Sequence, residues 1–271
     1  LQVPVTFISE LGKDQVGDLI LRFMEQNHIS TRYIDRFPDG KSPISLAFLD
    51  ANRNANYSFY KDYPTERLDV PFPRIEADDI LIIGSYYALN PALRPRMVEF
   101  LQYACERKAI IYYDLNFRKA HAHEAIRLMP TVLENLEYAD IVRGSDEDFL
   151  NLFGQQDGER VYADHIQFYC DRLITTKGAQ GVELYTSRFK QHYDSLAIEP
   201  QSTIGAGDNF NDGLIFGLLK EEVRLKDLAD LTPDRWERIS RHGMDLAGEV
   251  CQSYDNYIST DFATRYLAAN R

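Results

Sequence analysis

Residues 78–116 read DDILIIGSYYALNPALRPRMVEFLQYACERKAIIYYDLN and contain two short apolar runs, ILIIG and AIIYY. Both runs have the length and composition of buried strands, and the segment between them, from Pro91 to Arg107, is helical in its pattern. A strand, a helix and another strand in this order predict a parallel β-α-β unit. Ligands gather at the carboxyl ends of such strands, so the polar residues Asp114 to Asn116 are candidates for a site.

The same alternation continues on both sides of this unit. The runs ADIVRGS and RLITTKG predict two further strands, and residues 121–137 predict a helix between them and the β-α-β unit. The polar end of the first run, Arg143 to Ser145, is a further candidate for a site. Near the start, VPVTFIS from Val3 predicts a strand and LILRF from Leu19 predicts an amphipathic helix. No repeat or Pro, Gly and Ser-rich linker divides the chain. We therefore expect one α/β domain over residues 1–271, with a mainly parallel sheet.

One region departs from this alternation. Residues 44–61, ISLAFLDANRNANYSFYK, consist of two alternating runs around a polar turn cluster, which predicts an antiparallel hairpin near residues 42–62. It is interpreted either as a small β lid or as an edge hairpin that extends the sheet, and the sequence does not choose between the two.

Composition excludes several classes of function. The chain of 271 residues has a formal net charge of −12, which argues against nucleic-acid binding, and its apolar runs are far too short to span a membrane. Cys105, Cys170 and Cys251 are widely separated and form no C-x-x-C pair. This pattern fits neither a disulfide framework nor a zinc site, and we expect a cytoplasmic location.

The stretch QSTIGAGDNFNDG, residues 201–213, predicts an anion site. Small residues precede the apolar helical spacing of residues 210–218, so they lie at a helix N-terminus, where free amides and the helix dipole attract negative charge. Asp208 is then interpreted either as a general base beside the anion or as an acid that is favoured in a first helical turn. The spacing matches neither a Walker phosphate loop nor a dinucleotide fingerprint.

Four elements in this order resemble the ribokinase-like, or PfkB-type, carbohydrate kinases. STIGAGD is similar to the family's D-T-x-G-A-G-D signature, ELGKDQVG to its G-x-D-x-x-G element, DLNFR to its D-x-N-x-R strand end and TTKGAQG to its T-x-G-x-x-G segment. The resemblance covers nearly the whole chain. It implies a ribokinase-like three-layer α/β/α sandwich with a mainly parallel sheet and a small β lid.

The resemblance also implies roles for particular residues. Asp208 is implied as the catalytic base, and the amides of Gly205, Ala206 and Gly207 are implied as the anion hole for the γ-phosphate. Residues at the strand end after β-α-β are implied to bind the sugar or the transferring phosphate, namely Asp114, Asn116 and Arg118. The nucleotide is implied to lie near Thr176, Gly178, Gly181 and Ser145, with Mg²⁺ bound through water near Asp148 and with ATP as donor. Dependence on a monovalent cation is left open.

The sequence departs from the family pattern at several positions. Ser145 and Asp148 stand where the family has N-x-x-E, and they also fit a helix N-cap. Ser202 replaces an aspartate, and Asp212 replaces a small residue one turn after the base, where it is expected to raise the base's pKa or to enter the sugar pocket. The family's first strand has no counterpart before Leu1, and we interpret it as missing from this sequence.

Together these features predict an ATP-dependent sugar kinase with fructose as the favoured substrate. Ribose and 2-keto-3-deoxygluconate are alternatives within the class, and a non-catalytic kinase-like protein that binds sugar or nucleotide is an alternative outside it. The expected partners are the small-molecule sugar and ATP, with a homodimer through the lid and no nucleic acid or membrane.

Overall fold

The computed structural model describes residues 1–49, 55–64 and 67–270. These residues form two compact units. The smaller comprises residues 2–75 and 91–100, and the larger comprises residue 1, residues 76–90 and residues from 101 on. A single domain over residues 1–271 stays a prediction.

The larger unit contains a six-stranded mixed sheet. Its strands are β5 (Ile80–Gly84), β6 (Ile110–Asp114), β7 (Ile141–Ser145), β8 (Arg172–Thr176), β9 (Val182–Thr186) and β10 (Lys190–Tyr193). They lie in the order β10-β9-β8-β7-β6-β5; the pairs among β5, β6, β7 and β8 are parallel, and those that include β9 or β10 are antiparallel. The parallel register aligns Asp114 with Arg143, so these two polar residues meet at the carboxyl ends of β6 and β7.

Helices follow most of these strands. Most of the helices belong to the larger unit; the exceptions are α1 (Gln15–Gln26) and the start of α3 (Arg94–Glu106), which belong to the smaller unit. The helices after α1 are α2 (Ser85–Leu89), α3 (Arg94–Glu106), α4 (Ala125–Tyr138), α5 (Asp146–Phe153), α6 (Gly158–Val161), α7 (Ala206–Lys220), α8 (Pro233–Val250) and α9 (Thr260–Ala269). Three short 3₁₀ turns are also described: Lys119–Glu124 before α4, Gly178–Gln180 after β8 and Leu225–Asp230 before α8.

Both faces of the central strands are buried, as expected for a covered parallel sheet. Ile110 and Tyr112 of β6 belong to a core cluster that also contains Phe210 and Leu214 of α7 and Trp236 of α8. The alternating residues Ile111 and Tyr113 point to the opposite face, and they are fully buried as well. The sheet therefore carries α7 and α8 on one face, with its polar strand ends at one edge.

Glycines bring α7 and α8 into close contact. A Cβ on Gly213 would lie 2.2 Å from the carbonyl oxygen of His242, and one on Gly217 would lie 2.8 Å from that of Ile239. On α8, a Cβ on Gly243 would lie 2.8 Å from the ring of Phe210. The two helix backbones touch where these glycines lie, and a larger side chain there would separate the helices.

The smaller unit contains the parallel pair β1 (Thr6–Gly12) and β2 (Ser30–Phe37), with α1 between them, and the antiparallel pair β3 (Lys41–Leu49) and β4 (Ala55–Asp62). Asp14 is the N-cap of α1, where its Oδ1 accepts from the amide of Gly17 at 2.8 Å. Its Oδ2 accepts from the amide of Ser42 on β3, also at 2.8 Å. These backbone hydrogen bonds lower the pKa of Asp14 to about 2, and the side chain joins the helix to the hairpin.

The hairpin lies where the sequence predicts it, and among the described residues β3 and β4 pair only with each other. Residues 50–54 of the predicted polar turn lie outside the described residues. The two helices expected at 91–107 and 121–137 are found with bounds shifted by a few residues, and β5 to β8 are found as predicted. No helix in the described parts of the chain is both long and apolar enough to cross a membrane.

Candidate active site

The first turn of α7 presents free backbone amides. Gly205 is the N-cap with φ of +81°, a conformation that favours glycine, and a Cβ there would lie 2.6 Å from the carbonyl oxygen of Asn256. The amide of Ala206 donates to the carbonyl of Thr203 at 3.2 Å, whereas within the described residues the amides of Gly207 and Asp208 have no acceptor. This turn can therefore accept an anion, with Asp208 contributing an amide that the sequence analysis did not include.

Two carboxylates lie on this part of α7. Asp208 is exposed in the first turn, and Asp212 follows it by one turn on the same side of the helix. Asp212 keeps an exposed surface, yet desolvation by the surrounding protein, followed by the charge of Asp208, raises its pKa to about 6. Both the partial desolvation of this carboxyl and the neighbouring charge of Asp208 therefore make ionisation of Asp212 less favourable.

A buried polar network lies at the strand ends beside α7. Asp114 accepts from Nη1 of Arg143 at 3.0 Å through Oδ1 and from Nδ2 of Asn211 at 2.9 Å through Oδ2. Tyr112 donates to Oδ1 of Asn211 at 2.8 Å. Burial raises the pKa of Asp114, and the neighbouring Arg143 opposes that rise. Removing one partner of such a buried ion pair costs about 3–5 kcal/mol, because the other charge is left unpaired.

Arg143 lies directly against the first turn of α7. A Cβ on Gly207 would lie 3.1 Å from both terminal nitrogens of its guanidinium, and Nη2 donates to Oγ1 of Thr176 at 2.6 Å. Its Nε is buried without a hydrogen-bond partner in the described part of the chain. Burial opposes the charged form, but Asp114 and Asp148 outweigh it and raise the pKa of Arg143. The guanidinium is therefore a fixed cation behind the free amides.

Ser145 and Asp148 form a capping box at the start of α5. Ser145 accepts from the amide of Asp148 at 3.1 Å, and Oδ2 of Asp148 accepts from the amide and hydroxyl of Ser145 at 2.7 Å and 2.8 Å. The N-cap that the sequence allows at these residues is therefore present. One carboxylate oxygen of Asp148 stays outside the capping box.

The predicted nucleotide segment forms a tight turn after β8. Gly178 and Gly181 have φ of +54° and +91°, and a Cβ on Gly181 would lie 2.2 Å from the carbonyl oxygen of Tyr193. Lys177 donates its amide to the carbonyl of Gly181 at 2.9 Å, which closes the turn. Thr176 ends β8 and contacts Arg143, so this segment adjoins the network of Asp114.

Asn116 and Arg118 follow β6. Asn116 has φ of +38° and is partly exposed, and Arg118 is exposed and precedes the 3₁₀ turn Lys119–Glu124. Asp114, by contrast, is buried, and both of its carboxylate oxygens are hydrogen bonded to protein. The strand end thus separates into a buried carboxylate that holds Arg143 and two accessible side chains beyond it.

Arg143, Asn211 and Tyr112 are the members of this site to which the sequence analysis assigned no role. Asn211 interrupts the apolar face of α7 and is buried at 6% exposure, so a polar residue at an apolar position was the available signal. Ser202, at the start of the signature, is also buried, and its hydroxyl accepts from the amide of Ile204 at 3.2 Å.

The side chains of this site could hold a metal ion only together with the phosphates of a bound ligand. The described residues contain no group of three or more His, Cys, Asp or Glu side chains that could hold an ion. Mg²⁺ commonly keeps several waters and binds through one or two carboxylates together with substrate phosphates, and the remaining oxygen of Asp148 is compatible with that arrangement.

A mainly parallel sheet with polar strand ends, beside a helix start whose amides can accept an anion, is typical of α/β proteins that bind phosphate-containing ligands. Residues 1–258 match the model of the pfkB family carbohydrate kinases. The chain therefore belongs to this family of phosphotransferases, and the predicted family and enzyme class are confirmed.

Curated relatives and solved structures agree with this assignment. The chain is 24% identical over 236 residues to a probable fructokinase-6, chloroplastic, of Arabidopsis thaliana, covering 82% of this chain and 61% of that protein. It is 26% identical over 230 residues to a fructokinase of Rhizobium leguminosarum bv. trifolii, covering 83% of this chain and 69% of that protein. The chain thus spans about three fifths to seven tenths of the length of these relatives.

A crystal structure of fructokinase from Vibrio cholerae O395, bound to fructose, ADP and a calcium ion, has the same fold. The TM-score is 0.76 at 19% identity, and the alignment covers 93% of this chain and 80% of that one. The predicted ribokinase-like α/β sandwich is confirmed.

Proposed function

We propose that this protein transfers the γ-phosphate of ATP to a hydroxyl group of a monosaccharide. The observation that carries the proposal is the first turn of α7, where the exposed carboxylate of Asp208 lies beside backbone amides that have no acceptor among the described residues. A base and an anion site must be adjacent for a hydroxyl to lose its proton as it attacks a phosphoryl group.

In the proposed reaction Asp208 accepts the proton of the sugar hydroxyl. The hydroxyl oxygen forms a bond to the γ-phosphorus, and the bond from that phosphorus to the bridging oxygen breaks, which releases ADP. Negative charge on the transferring group is stabilised by the amides of Gly205, Gly207 and Asp208, with Ala206 keeping its turn bond to Thr203. Fixed donors of this kind need no rearrangement during the reaction.

The sugar is proposed to be fructose. The relatives named as fructokinases support this choice, although at 24% and 26% identity they support the sugar-kinase class more strongly than the particular sugar. Ribose and 2-keto-3-deoxygluconate stay as alternatives. Asn116 and Arg118 are proposed to contact the sugar or the transferring phosphate, and buried Asp114 acts by holding Arg143.

The nucleotide is proposed to lie along the turn after β8, near Thr176, Gly178, Gly181 and Ser145. Mg²⁺ bound with ATP would neutralise charge between the phosphates, and Asp148 would hold its water ligands. Dependence on a monovalent cation stays open, and a cytoplasmic location stays a prediction from the cysteine pattern.

The hairpin is proposed to form a homodimer contact as well as a lid. Ile44, Leu46, Phe48 and Tyr60 lie on one face of the β3–β4 pair, and these side chains are between 39% and 60% exposed. Apolar side chains gathered on one exposed face of a sheet mark an interaction surface, and a second copy of the hairpin provides a self-complementary partner.

A coupled assay of ADP release over a panel of sugars, on the full-length protein, tests the proposed reaction. We expect turnover with at least one sugar, and the variant Asp208→Asn should lower kcat by about 1000-fold or more while ATP affinity is kept. Asp261→Asn, which changes another acid in a first helical turn, is the control and should leave kcat unchanged. ATP binding without turnover on any sugar would favour the non-catalytic alternative, and an unchanged kcat for Asp208→Asn would refute its role as base.

A further inference from the structure

Arg143 occupies an unusual electrostatic position. Its guanidinium lies against Gly207 in the first turn of α7, where the helix dipole is positive and repels a cation. A helix start of this kind is stabilised by negative groups. The ion pair with buried Asp114 holds the guanidinium there against the dipole, and an anion bound at the amides of the same turn would stabilise it further.

The side chain is also incompletely satisfied. Arg143 is 6% exposed, and its buried Nε has no hydrogen-bond partner within the described residues. Buried donors are nearly always paired in folded proteins, so an unpaired one requires an explanation, and a role in ligand binding or catalysis is one such explanation. The remaining donors fix the guanidinium from two sides, through Asp114 on β6 and Thr176 on β8.

We propose that Arg143 is a positioning residue for phosphoryl transfer, which supplies fixed positive charge directly behind the free amides of α7. The inference rests on the proposed phosphate site at Gly205 to Asp208. In a chain with a net charge of −12, this cation also screens the buried carboxylate of Asp114, which would otherwise repel a phosphate at that turn.

The positive charge of Arg143 should act mainly on the phosphates of the nucleotide and on the phosphoryl group that is transferred. A guanidinium held at the anion site strengthens binding of a nucleoside triphosphate more than that of a monophosphate. It also stabilises charge on the transferring group, so its removal should lower kcat more than it raises the KM for the sugar.

Four variants separate this role from a structural one. Arg143→Met removes the cation, and Arg143→Lys restores a charge without the planar group. The double variant Arg143→Met with Asp114→Asn removes both charges, so no buried carboxylate is left unpaired if the single variant fails to fold. Arg172→Met is the matched control. Arg172 is the first residue of β8, at the end of the strand opposite to Thr176, and it donates hydrogen bonds to the carbonyls of Asp140 and Leu228.

The measurements are kcat and KM on the best sugar and the rise in melting temperature produced by ATP and by AMP. For Arg143→Met and the double variant we expect kcat to fall by about 100-fold or more while the KM for the sugar stays within about threefold. In these two variants ATP should no longer raise the melting temperature more than AMP does. Arg143→Lys should recover about tenfold in kcat over Arg143→Met, and Arg172→Met should keep kcat within about threefold of the wild type.

A folded double variant with kcat within about threefold of the wild type would overturn the inference while leaving the proposed function intact. If the wild type transfers phosphate to no sugar, the proposed function fails. The role of Arg143 is then tested by nucleotide binding alone, through the preference for ATP over AMP. Loss of the ATP preference in the double variant then supports the role of Arg143, whereas an unchanged preference, or no preference in the wild type, overturns it.

Discussion

Asp212 lies one helical turn after Asp208 on α7, and the charge of Asp208 contributes to a pKa of about 6 for Asp212. Desolvation is the larger cause of this shift. The folded protein therefore holds a proton on Asp212 more tightly than the unfolded chain does. Its contribution to stability is fully present below the ordinary carboxyl pKa of about 4 and is lost as the pH rises through about 6.

We expect Asp212→Asn to raise the melting temperature at pH 7.5, because the amide has no charge to desolvate or to repel Asp208. The effect is limited by the exposed surface of Asp212 and should be on the order of 1 kcal/mol. Thermal unfolding of both proteins at pH 7.5 and pH 4.5 measures it, and the difference should shrink at the lower pH. Asp234→Asn, in the first turn of α8, is the control and should not stabilise; equal gains at both pH values for Asp212→Asn would contradict the assignment.

Gly205→Ala should destabilise the protein and lower kcat. Alanine is strained at φ of +81°, and its Cβ would lie 2.6 Å from the carbonyl of Asn256, so the loop or the amides must move. Gly154→Ala is a matched control, since Gly154 has φ of +68° with no atom within 4 Å of the added Cβ. We expect about 1 kcal/mol for the control and about 3 kcal/mol for Gly205→Ala in urea unfolding. Equal costs would show that contact with Asn256 is unimportant.

Asp14 should make the smaller unit sensitive to acid. Its pKa of about 2 lies below the unfolded value, so its contribution is present above about pH 4 and is lost as the pH falls toward 2. Asp14→Asn keeps an acceptor for the amide of Gly17 but loses the charge, and Asp14→Ala loses both. The urea midpoint at pH 6 should therefore fall in the order wild type, Asn, Ala, and the gap between wild type and Asn should narrow below about pH 4 and close near pH 2. A gap that is independent of pH would argue against a charged cap.

Leu46→Glu should dissociate the proposed dimer, because it places a charge on the exposed apolar face of the hairpin. Lys61→Glu introduces the same side chain on the opposite face of β4 and should leave the dimer intact. Sedimentation velocity at micromolar concentrations measures both. A monomeric wild type, or a dimer that Leu46→Glu does not affect, would refute this surface.

Tyr266→Phe should destabilise the fold without changing kcat. The hydroxyl of Tyr266 on α9 lies 2.7 Å from Nδ1 of His242 and donates to Asp245 at 2.8 Å, and its loss leaves buried polar groups unpaired at a cost of about 1–3 kcal/mol. Chemical denaturation and the coupled kinase assay measure the two effects. A large fall in kcat at unchanged stability would place this contact in the reaction.

The strands that carry the site were predictable because they are buried on both faces. β6 is a continuous apolar run up to Asp114, and β7 and β8 each contain an apolar pair with polar residues toward the strand ends, as expected for strands buried in a parallel sheet. β5, at the edge of the sheet, is also an apolar run, although Ile82 is 44% exposed. β2, STRYIDRF, is rich in charged and polar residues and half exposed, and its strand conformation depends on pairing with β1. Such pairing is a tertiary effect that a local pattern does not contain.

The same division applies to the candidate site. The anion-binding turn and Asp208 are contained in one short stretch, so local rules indicate them. The contacts of Asn211 with Asp114 and Tyr112 join residues 97 and 99 positions apart. Nothing in the spacing of one sequence predicts which buried polar groups meet across that separation, and Arg143 was therefore visible only as a polar strand end.

The glycines between α7 and α8 have a consequence for how this protein can change over evolution. At Gly213 and Gly217 the neighbour is helix backbone, which cannot rotate away as a side chain can. These positions are closed to mutational drift, while apolar positions nearby that meet only side chains can be exchanged if their neighbours repack. Substitutions that alter substrate preference while keeping the fold are therefore expected elsewhere, in loops and exposed positions, because this helix pair has no space for a larger side chain at these two glycines.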